Sequence, residues 1–501
     1  MILGTMLRRV SVIGICLVAA TAGAVTKDSS QKGALPLTTK SAQVRRMLDE
    51  VWRLNLDEVQ TEAADEVLRK ALKIDPDFAF GHVLLSQCSL DPGEQVREQQ
   101  KAFATRTHAS PAERLVIEWF QNAADHKLIP AITDMNEVLR RYPHDRWVVF
   151  LANWWLTQQT QYERAVAVFE RSGITDSPGL MNNTAYTYAY MRQFDRAFAL
   201  MEKYVAALPQ DPNPQDSYAE ILRMAGHFEQ AIRHYRAALA IDPQFYSSQF
   251  GIADTYSLMG DQVRAREEYR AAFEKFPSVP ELHRVQWQTR EATTFVREGN
   301  YPAADRAFQV IADEAHVKSM SQVEADIYRQ MAMYQSDPKE AMRLLGKAET
   351  AARHRRNAMP SAIHQEIAQI LRARVEAALR AGDVKAASAA LKHLVELAQT
   401  SNDKISESAY HGAAGADLFA EGKYNEAMSH LEEDINNPLS LKLLVAAYEK
   451  VGYGTEAKRV SETLANLNDP TLEQAMVVPA LRKCYEDPNC AGSFKNASLK
   501  K

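Results

Sequence analysis

The chain has 501 residues, of which 46% are hydrophobic and 25% charged, so it carries enough apolar material for a sizeable core. Its formal net charge is -5 at pH 7. This mild acidity gives no electrostatic reason to expect nucleic acid or an anionic membrane surface as a partner.

The first 24 residues are predicted to be a secretory signal peptide. Arg8 and Arg9 form a basic start, an apolar run follows them, and Ala22-Gly23-Ala24 matches a cleavage site. The apolar run is shorter than the roughly 20 residues that a membrane-spanning helix needs. We therefore expect cleavage after Ala24, a periplasmic or secreted mature chain, and no membrane insertion after signal removal. The alternative is that the segment is retained as an uncleaved anchor.

A pattern of small, aromatic and proline residues repeats with a period of 34 from about residue 225 onward. One unit contains Gly226, Ala231, Tyr235, Ala238 and Pro243, and the next contains Gly260, Ala265, Tyr269, Ala272 and Pro277. Degraded copies of the same pattern occur on both sides of these two units. A fixed period of this length indicates stacked supersecondary units in one elongated body, not separate globular domains.

Each unit is predicted to be two amphipathic helices joined by a short turn. Gly226 falls at the turn, where a positive φ is often required, and Pro243 ends the second helix. The small side chains of Ala231 and Ala238 let two backbones approach, and Tyr235 lies on the same helix face as Ala231. Because one pair cannot bury its own apolar face, at least three pairs must stack.

At these residues the chain resembles the tetratricopeptide repeat family. The unit that begins at Tyr246 fits the family pattern with Ala253, Tyr256, Gly260, Ala265, Tyr269, Ala272 and Pro277. The unit that begins at Pro178 fits at Ala185, Tyr188, Ala197 and Pro209, but Arg192 stands where the family has glycine. The resemblance covers most of residues 45–470. It implies an all-α fold, a right-handed solenoid of tandem antiparallel helix pairs.

The predicted organisation follows the regularity of the repeat. Residues 25–315 form an N-terminal array, the least regular stretch, 316–366, is a helical connection, and residues 367–471 form a C-terminal array. Residues 472–501 are predicted to be a capping segment and tail.

The resemblance implies that the first helix of each pair lines a concave groove. Aromatic rings supply rigid contact area for a peptide and amides bond its backbone, so the groove positions with such side chains are candidate binding residues. The alternative is that Trp154, Tyr186 and Tyr190 only pack between repeats. The charged Asp216, Glu220 and Arg223 occupy groove positions of the next unit and complete the set of ten candidates, whose other members are Phe150, Trp154, Gln158, Asn182, Asn183, Tyr186 and Tyr190.

The cysteines and the remaining motifs offer little chemistry. Cys484 and Cys490 flank a turn-forming Asp487-Pro488-Asn489, so a small disulfide between them is a candidate, and whether they pair stays open. The sequence has no glycine-rich phosphate loop, no metal-ligand spacing and no nucleophile motif. We therefore expect no cofactor, no bound metal and no catalytic site.

Together these patterns predict an exported, non-catalytic scaffold that binds proteins or peptides and does not bind nucleic acid. Two alternatives remain: a structural subunit of an envelope assembly, and an enzyme with an unrecognised site in residues 316–366. The sequence does not predict the oligomeric state or the identity of the partner.

Overall fold

The computed structural model describes residues 33–355, 358–401 and 403–486. The predicted signal peptide lies outside the described residues, and so does Cys490. The pairing of Cys484 with Cys490 therefore stays a prediction.

Within these ranges the chain is built from α-helices and contains no β-strand. Helices α1–α8 are Ala42–Trp52, Thr61–Ile74, Ala79–Cys88, Pro92–Thr105, Pro111–Ala124, Leu128–Arg141, Arg146–Gln158 and Tyr162–Ser172. Helices α9–α15 are Pro178–Tyr190, Phe194–Ala207, Pro212–Met224, Phe228–Ile241, Tyr246–Met259, Gln262–Lys275 and Glu281–Arg297. Helices α16–α25 are Tyr301–Val317, Ser321–Tyr334, Pro338–Arg353, Pro360–Ala381, Val384–Ser401, Lys404–Ala420, Tyr424–Leu431, Pro438–Val451, Gly454–Ala465 and Leu472–Glu486.

Each helix packs chiefly against its neighbours in sequence. Short connections between packed helices make successive partners antiparallel, so the prediction of an all-α solenoid of tandem helix pairs is confirmed. Distant parts of the array also contact each other. Helix α5 contacts α19, and α15 packs against α25. These two long-range contacts turn an open solenoid into a closed ring, which the repeat pattern did not predict.

The turn between the two helices of a pair requires a left-handed backbone. Gly226 has φ 86° and Gly260 has φ 99°, as the repeat pattern predicted. Arg192, which replaces the glycine in the preceding unit, adopts φ 59° at the same place. The turn geometry is therefore kept even where the side chain makes it less favourable.

The alanine and tyrosine positions are packed as predicted. Ala231, Tyr235 and Ala238 are buried between helices. A Cβ atom added to Gly251 would lie 2.4 Å from Cε1 of Tyr235, so the tyrosine ring of one unit fills the space above a glycine of the next. This contact leaves no room for a larger side chain at Gly251, whereas exposed positions of the repeat can hold different residues.

Residues 316–366 contain the pair α17 and α18 and the start of α19. The helices around this region are longer than those of the regular units: α16 has 17 residues, α19 has 22 and α20 has 18, whereas α12 and α14 have 14. The greater helix length breaks the 34-residue period, so the stretch looked irregular in sequence although it folds as helices.

The core is a succession of local apolar clusters along the array. One cluster spans residues 35–180, and two further clusters join α8–α11 and α11–α15. A fourth cluster runs from α15 to α21, a fifth contains α22–α24, and both include residues of α25. The last helix is thus packed into the C-terminal part of the array.

Candidate binding cavity

The ring lines a cavity of about 1120 Å³ that is partly open to solvent. One wall comes from α3, α4, α5 and α7, and the opposite wall comes from α15, α17 and α19. The segment that joins α24 to α25 completes it with Pro470 and Thr471. The cavity therefore exists only because distant parts of the chain are brought face to face.

Aromatic side chains of the N-terminal wall face this space. Trp154 is partly exposed, whereas Trp147, Phe150 and Trp155, which also line the cavity, are at most 6% exposed. The buried rings pack on further aromatic side chains: Trp147 makes an edge-to-face contact with Trp52, with ring centroids 4.7 Å apart. The wall is consequently a rigid apolar platform with Trp154 as its accessible ring.

Glutamine side chains line the cavity on several sides. Within the part of the chain that the structure describes, the amides of Gln158, Gln159, Gln286 and Gln365 make no hydrogen bond to the protein. They come from α7 and its C-terminal end, from α15 and from α19, so they surround the space. Each amide offers donors and an acceptor, as a peptide group does.

A buried ionic cluster forms the polar end of the cavity. The guanidinium of Arg329, 6% exposed, is hydrogen-bonded to Asp326, 3.7 Å from the carboxylate of Glu366 and 3.9 Å from that of Glu473. Burial, with help from the nearby charge of Asp326, raises the pKa of Glu366 to about 7. This end of the cavity is therefore held by ion pairs among its own residues.

Three of the ten predicted groove residues line the cavity: Phe150, Trp154 and Gln158. Their common helix, α7, is capped by the Asp145 carboxylate, which accepts from the backbone N–H groups of Trp147 and Val148. Trp154 and Gln158 lie four residues apart and so share one face of this helix.

The other seven predicted residues do not line this cavity, and most of them contact neighbouring side chains. Asn182 and Asn183 are 2% exposed, and Nδ2 of Asn183 donates to Asn153. The hydroxyl of Tyr186 donates to Glu220 at 2.9 Å, and the ring of Tyr190 lies 5.6 Å from that of Tyr162. The Asp216 carboxylate accepts from Ser248 at 2.6 Å, and Glu220 pairs with Arg223 at 3.0 Å.

These contacts match the packing alternative for Tyr186 and Tyr190. Tyr186, Glu220 and Asp254 occupy the same position in three successive units, and each interacts with the next unit directly or through Arg223. A direct role of the seven residues in ligand binding stays a prediction.

Sequence reasoning missed a segment that bonds to distant parts of the ring, residues 466–471, which we call the strap. Nη2 of Arg192 donates to the carbonyl of Asn466 at 3.2 Å, and Nδ2 of Asn468 donates to the carbonyl of Met224 at 3.3 Å. Nη2 of Arg297 donates to the carbonyl of Asp469 at 3.1 Å. The only sequence signal was the turn-forming Asn-Asp-Pro run, which says nothing about distant contacts.

A pair of histidines lies where the C-terminal end of α5 meets α19. His126, at the turn after α5, stacks on His364 of α19 with ring centroids 4.2 Å apart. Burial lowers the pKa of His364, and the positions of His126 and Arg353 lower it further, against an opposing effect of Asp403. The folded protein thus favours the neutral His364 ring.

Acidification is expected to weaken the protein partly through His364. Because its pKa is lower in the folded state, the unfolded chain binds the proton more readily, and stability falls as the pH drops below about 6.5, the ordinary histidine value. Urea unfolding at pH 7.5 and 5.5 should show a smaller pH-dependent loss in His364→Gln than in the wild type. His393→Gln, at an exposed position, is the control, and equal pH dependence in the three proteins would contradict the assignment.

The described ranges contain no group of three histidine, cysteine or acidic side chains placed to hold a metal ion. None of the helices between residues 42 and 486 combines the length and apolar character needed to cross a bilayer.

No protein-family model matches the chain, and no curated protein sequence is significantly similar to it. Among solved structures, yeast Tom70 is 13% identical, with 90% of this chain and 99% of that chain covered and a TM-score of 0.40. The Cut9–Hcn1 hetero-tetramer of the APC/C is 12% identical, covering 82% of this chain and 74% of that chain with a TM-score of 0.36. A tetratricopeptide repeat protein from Parabacteroides merdae is 14% identical, covering 60% and 97% with a TM-score of 0.32.

Proposed function

We propose that the protein is a non-catalytic scaffold that binds a polypeptide segment of a partner protein in its central cavity. The observation that carries this proposal is the juxtaposition of Trp154 with unpaired glutamine amides from three separate helices. An apolar side chain of the partner packs against the tryptophan, and the amides bond its backbone.

The size and polarity of the cavity suit a short peptide segment. Small-molecule sites occupy roughly 300–1,000 Å³, and this cavity of about 1120 Å³ lies just above that range. A neutral amide can donate to one peptide carbonyl and accept from one peptide N–H, so Gln286 and Gln365 satisfy backbone groups without selecting a charge. The ligand is therefore a segment of a polypeptide with at least one apolar side chain.

The absence of catalysis is part of the proposal. The charged groups at the polar end, Arg329 with Asp326 and Glu473, are engaged with one another. Their mutual ion pairing favours a role in holding the wall over a role in acid-base chemistry.

We further propose that the mature chain begins at Val25 and acts in the periplasm or outside the cell. The support is the basic start, the apolar run and the Ala22-Gly23-Ala24 site. N-terminal sequencing of the protein from its native source tests this, since a chain that retains Met1 in a cytoplasmic pool would overturn it.

Site-specific photocrosslinking in the native cell tests the binding function. A photoreactive residue at Gln286 should capture one segment of one partner, and a synthetic peptide of that segment should bind the purified protein. The same residue at exposed Gln230 on α12, outside the cavity, is the control. Equal capture at both positions would contradict the cavity assignment, and a stable stoichiometric complex captured mainly from Gln230 would favour a structural envelope subunit.

A further inference from the structure

Two glutamates at the polar end of the cavity accept no hydrogen bond from the described residues. Glu473, in the first turn of α25, lines the cavity and is 7% exposed. Glu366 of α19 is 5% exposed, and its buried Oε1 has no hydrogen-bond partner there. It lies one turn after Ala362, which lines the cavity, and so faces the same space. A buried carboxylate without hydrogen bonds is costly, so these two groups have acceptor sites open to a ligand.

Arg329 is the cation that the two glutamates share, and it directs its hydrogen bonds elsewhere. Its Nη2 donates to Asp326 and its Nη1 to Sδ of Met333 at 3.4 Å. Glu366 lies 3.7 Å from its Nε and Glu473 lies 3.9 Å from its Nη1, both beyond hydrogen-bond distance. The guanidinium therefore compensates part of their charge and fills none of their hydrogen-bonding sites.

The ionic cluster is negative when all of its acids are ionised. The carboxylates of Asp326, Glu366 and Glu473 face the guanidinium groups of Arg329 and Arg355, which leaves one negative charge uncompensated. Burial and the charge of Asp326 raise the pKa of Glu366 to about 7, so its ionised form is held at an electrostatic cost. A cation that enters the cluster lowers this cost.

An anionic ligand is the alternative, because Arg355 also has a free donor. Its Nη2 donates to Gln322 at 2.6 Å, but its Nη1 is buried without a hydrogen-bond partner, and none of the described carboxylates forms an ion pair with it. A carboxylate bound there would add to the excess of negative charge and would lie close to Glu366, which already acts electrostatically on Arg355. The charge balance therefore favours a cation.

We propose that the polar end of the cavity is a subsite for the ammonium group of a lysine in the partner segment, with Glu366 and Glu473 as its acceptors. The proposal rests on the binding function proposed above and adds a charge preference that the glutamines do not supply. A lysine fits because it carries a compact ammonium with three donors on a long apolar stem. Ile327 and Leu472, sequence neighbours of Asp326 and Glu473, also line the cavity and offer apolar surface to that stem.

The first test is urea unfolding of the free protein at pH 8, above the pKa of Glu366, where the carboxylate is ionised. Glu366→Gln removes a buried charge that is only partly compensated, so the unfolding midpoint should stay at the wild-type value or rise. Glu396→Gln, at an exposed position of α20 outside the cavity, is the control. A fall in the midpoint larger than that of Glu396→Gln would show that Glu366 is a structural partner of Arg329 and would overturn the subsite.

The second test is selection from pools of short random peptides by the purified protein. The peptides are acetylated and amidated, so their ends carry no charge, and the pools differ only in one fixed residue: lysine, norleucine or glutamate. Lysine peptides should bind roughly tenfold more tightly than norleucine peptides, which have the same straight stem without the ammonium. Glu366→Gln and Glu473→Gln should each remove most of this preference, and Glu396→Gln should retain it.

The pools separate failure of the subsite from failure of the binding function. Equal binding of lysine and norleucine peptides, or a preference for glutamate, would overturn the subsite and leave the binding function in place. A lysine preference that persists in both glutamine variants would overturn the assignment to these two glutamates. If no pool binds above the background of Trp154→Ala, the binding function is refuted and the subsite with it.

Discussion

Arg223→Ala should destabilise the protein by about 3–5 kcal/mol, the usual cost of removing one partner from a buried ion pair. Arg223 is 1% exposed, its Nη2 lies 3.0 Å from the Glu220 carboxylate and its Nη1 lies 3.6 Å from that of Asp254. Removal of the guanidinium leaves two carboxylates from successive units close together without this cation. Asp254 retains Arg290, so the loss concentrates at Glu220.

Arg233→Ala is the matched control, because Arg233 is an exposed arginine on the adjacent helix α12. Repeat arrays lose two-state behaviour as they lengthen, so urea unfolding should be combined with hydrogen exchange of α11–α14. A loss of stability in Arg223→Ala no larger than in Arg233→Ala would show that the ion pairs between units are structurally neutral.

The local geometry of the array was predictable because it depends on neighbours in sequence. The positive φ at Gly226 and the burial of Ala231 and Tyr235 follow from turn sterics and helix-face periodicity. Each of these contacts involves a unit and the next one, so a 34-residue pattern contains the information that specifies them.

The closure of the ring was not predictable, because it depends on the summed rotation of all units and on the longer helices α16, α19 and α20. The bond from Asn468 to Met224 joins residues 244 apart. No periodic pattern encodes such a contact. The sequence shows that the Asn468 side chain can form hydrogen bonds, but it does not show which residue Asn468 bonds.

Only one wall of the candidate site was predictable from the sequence, because the repeat pattern gives a register for some helices and not for others. Phe150, Trp154 and Gln158 were found because they occupy inner positions of a recognisable unit. Gln286 and Gln365, on the opposite wall, lie in helices outside the fitted units, so no register pointed to them. Asn182 and Asn183 occupy equivalent inner positions but are covered, because inner positions near the regular centre of the array pack against adjoining repeats.

Trp154→Ala is expected to weaken binding of the captured partner peptide by about 2 kcal/mol or more, as for an aromatic anchor in a binding cavity. Its neighbour supplies the matched comparison, since Trp155 is 6% exposed and packs edge-to-face on Trp119 with centroids 5.5 Å apart. Trp155→Ala should instead lower the free energy of unfolding by about 3–5 kcal/mol, the cost of truncating a core aromatic.

The two adjacent tryptophans thus separate binding from packing. Calorimetric titration of the peptide, scaled to the folded fraction, should show the larger affinity loss in Trp154→Ala, and thermal melts should show the larger stability loss in Trp155→Ala. Gln158→Ala, one helical turn beyond Trp154, should lose about 1 kcal/mol of affinity at unchanged melting temperature if its amide bonds the peptide backbone. If Trp154→Ala instead melts the protein while affinity per folded molecule is preserved, the ring is a packing residue. The partner would then have to bind outside the aromatic wall, because Trp154 is the one ring of that wall, among the described residues, that is not buried.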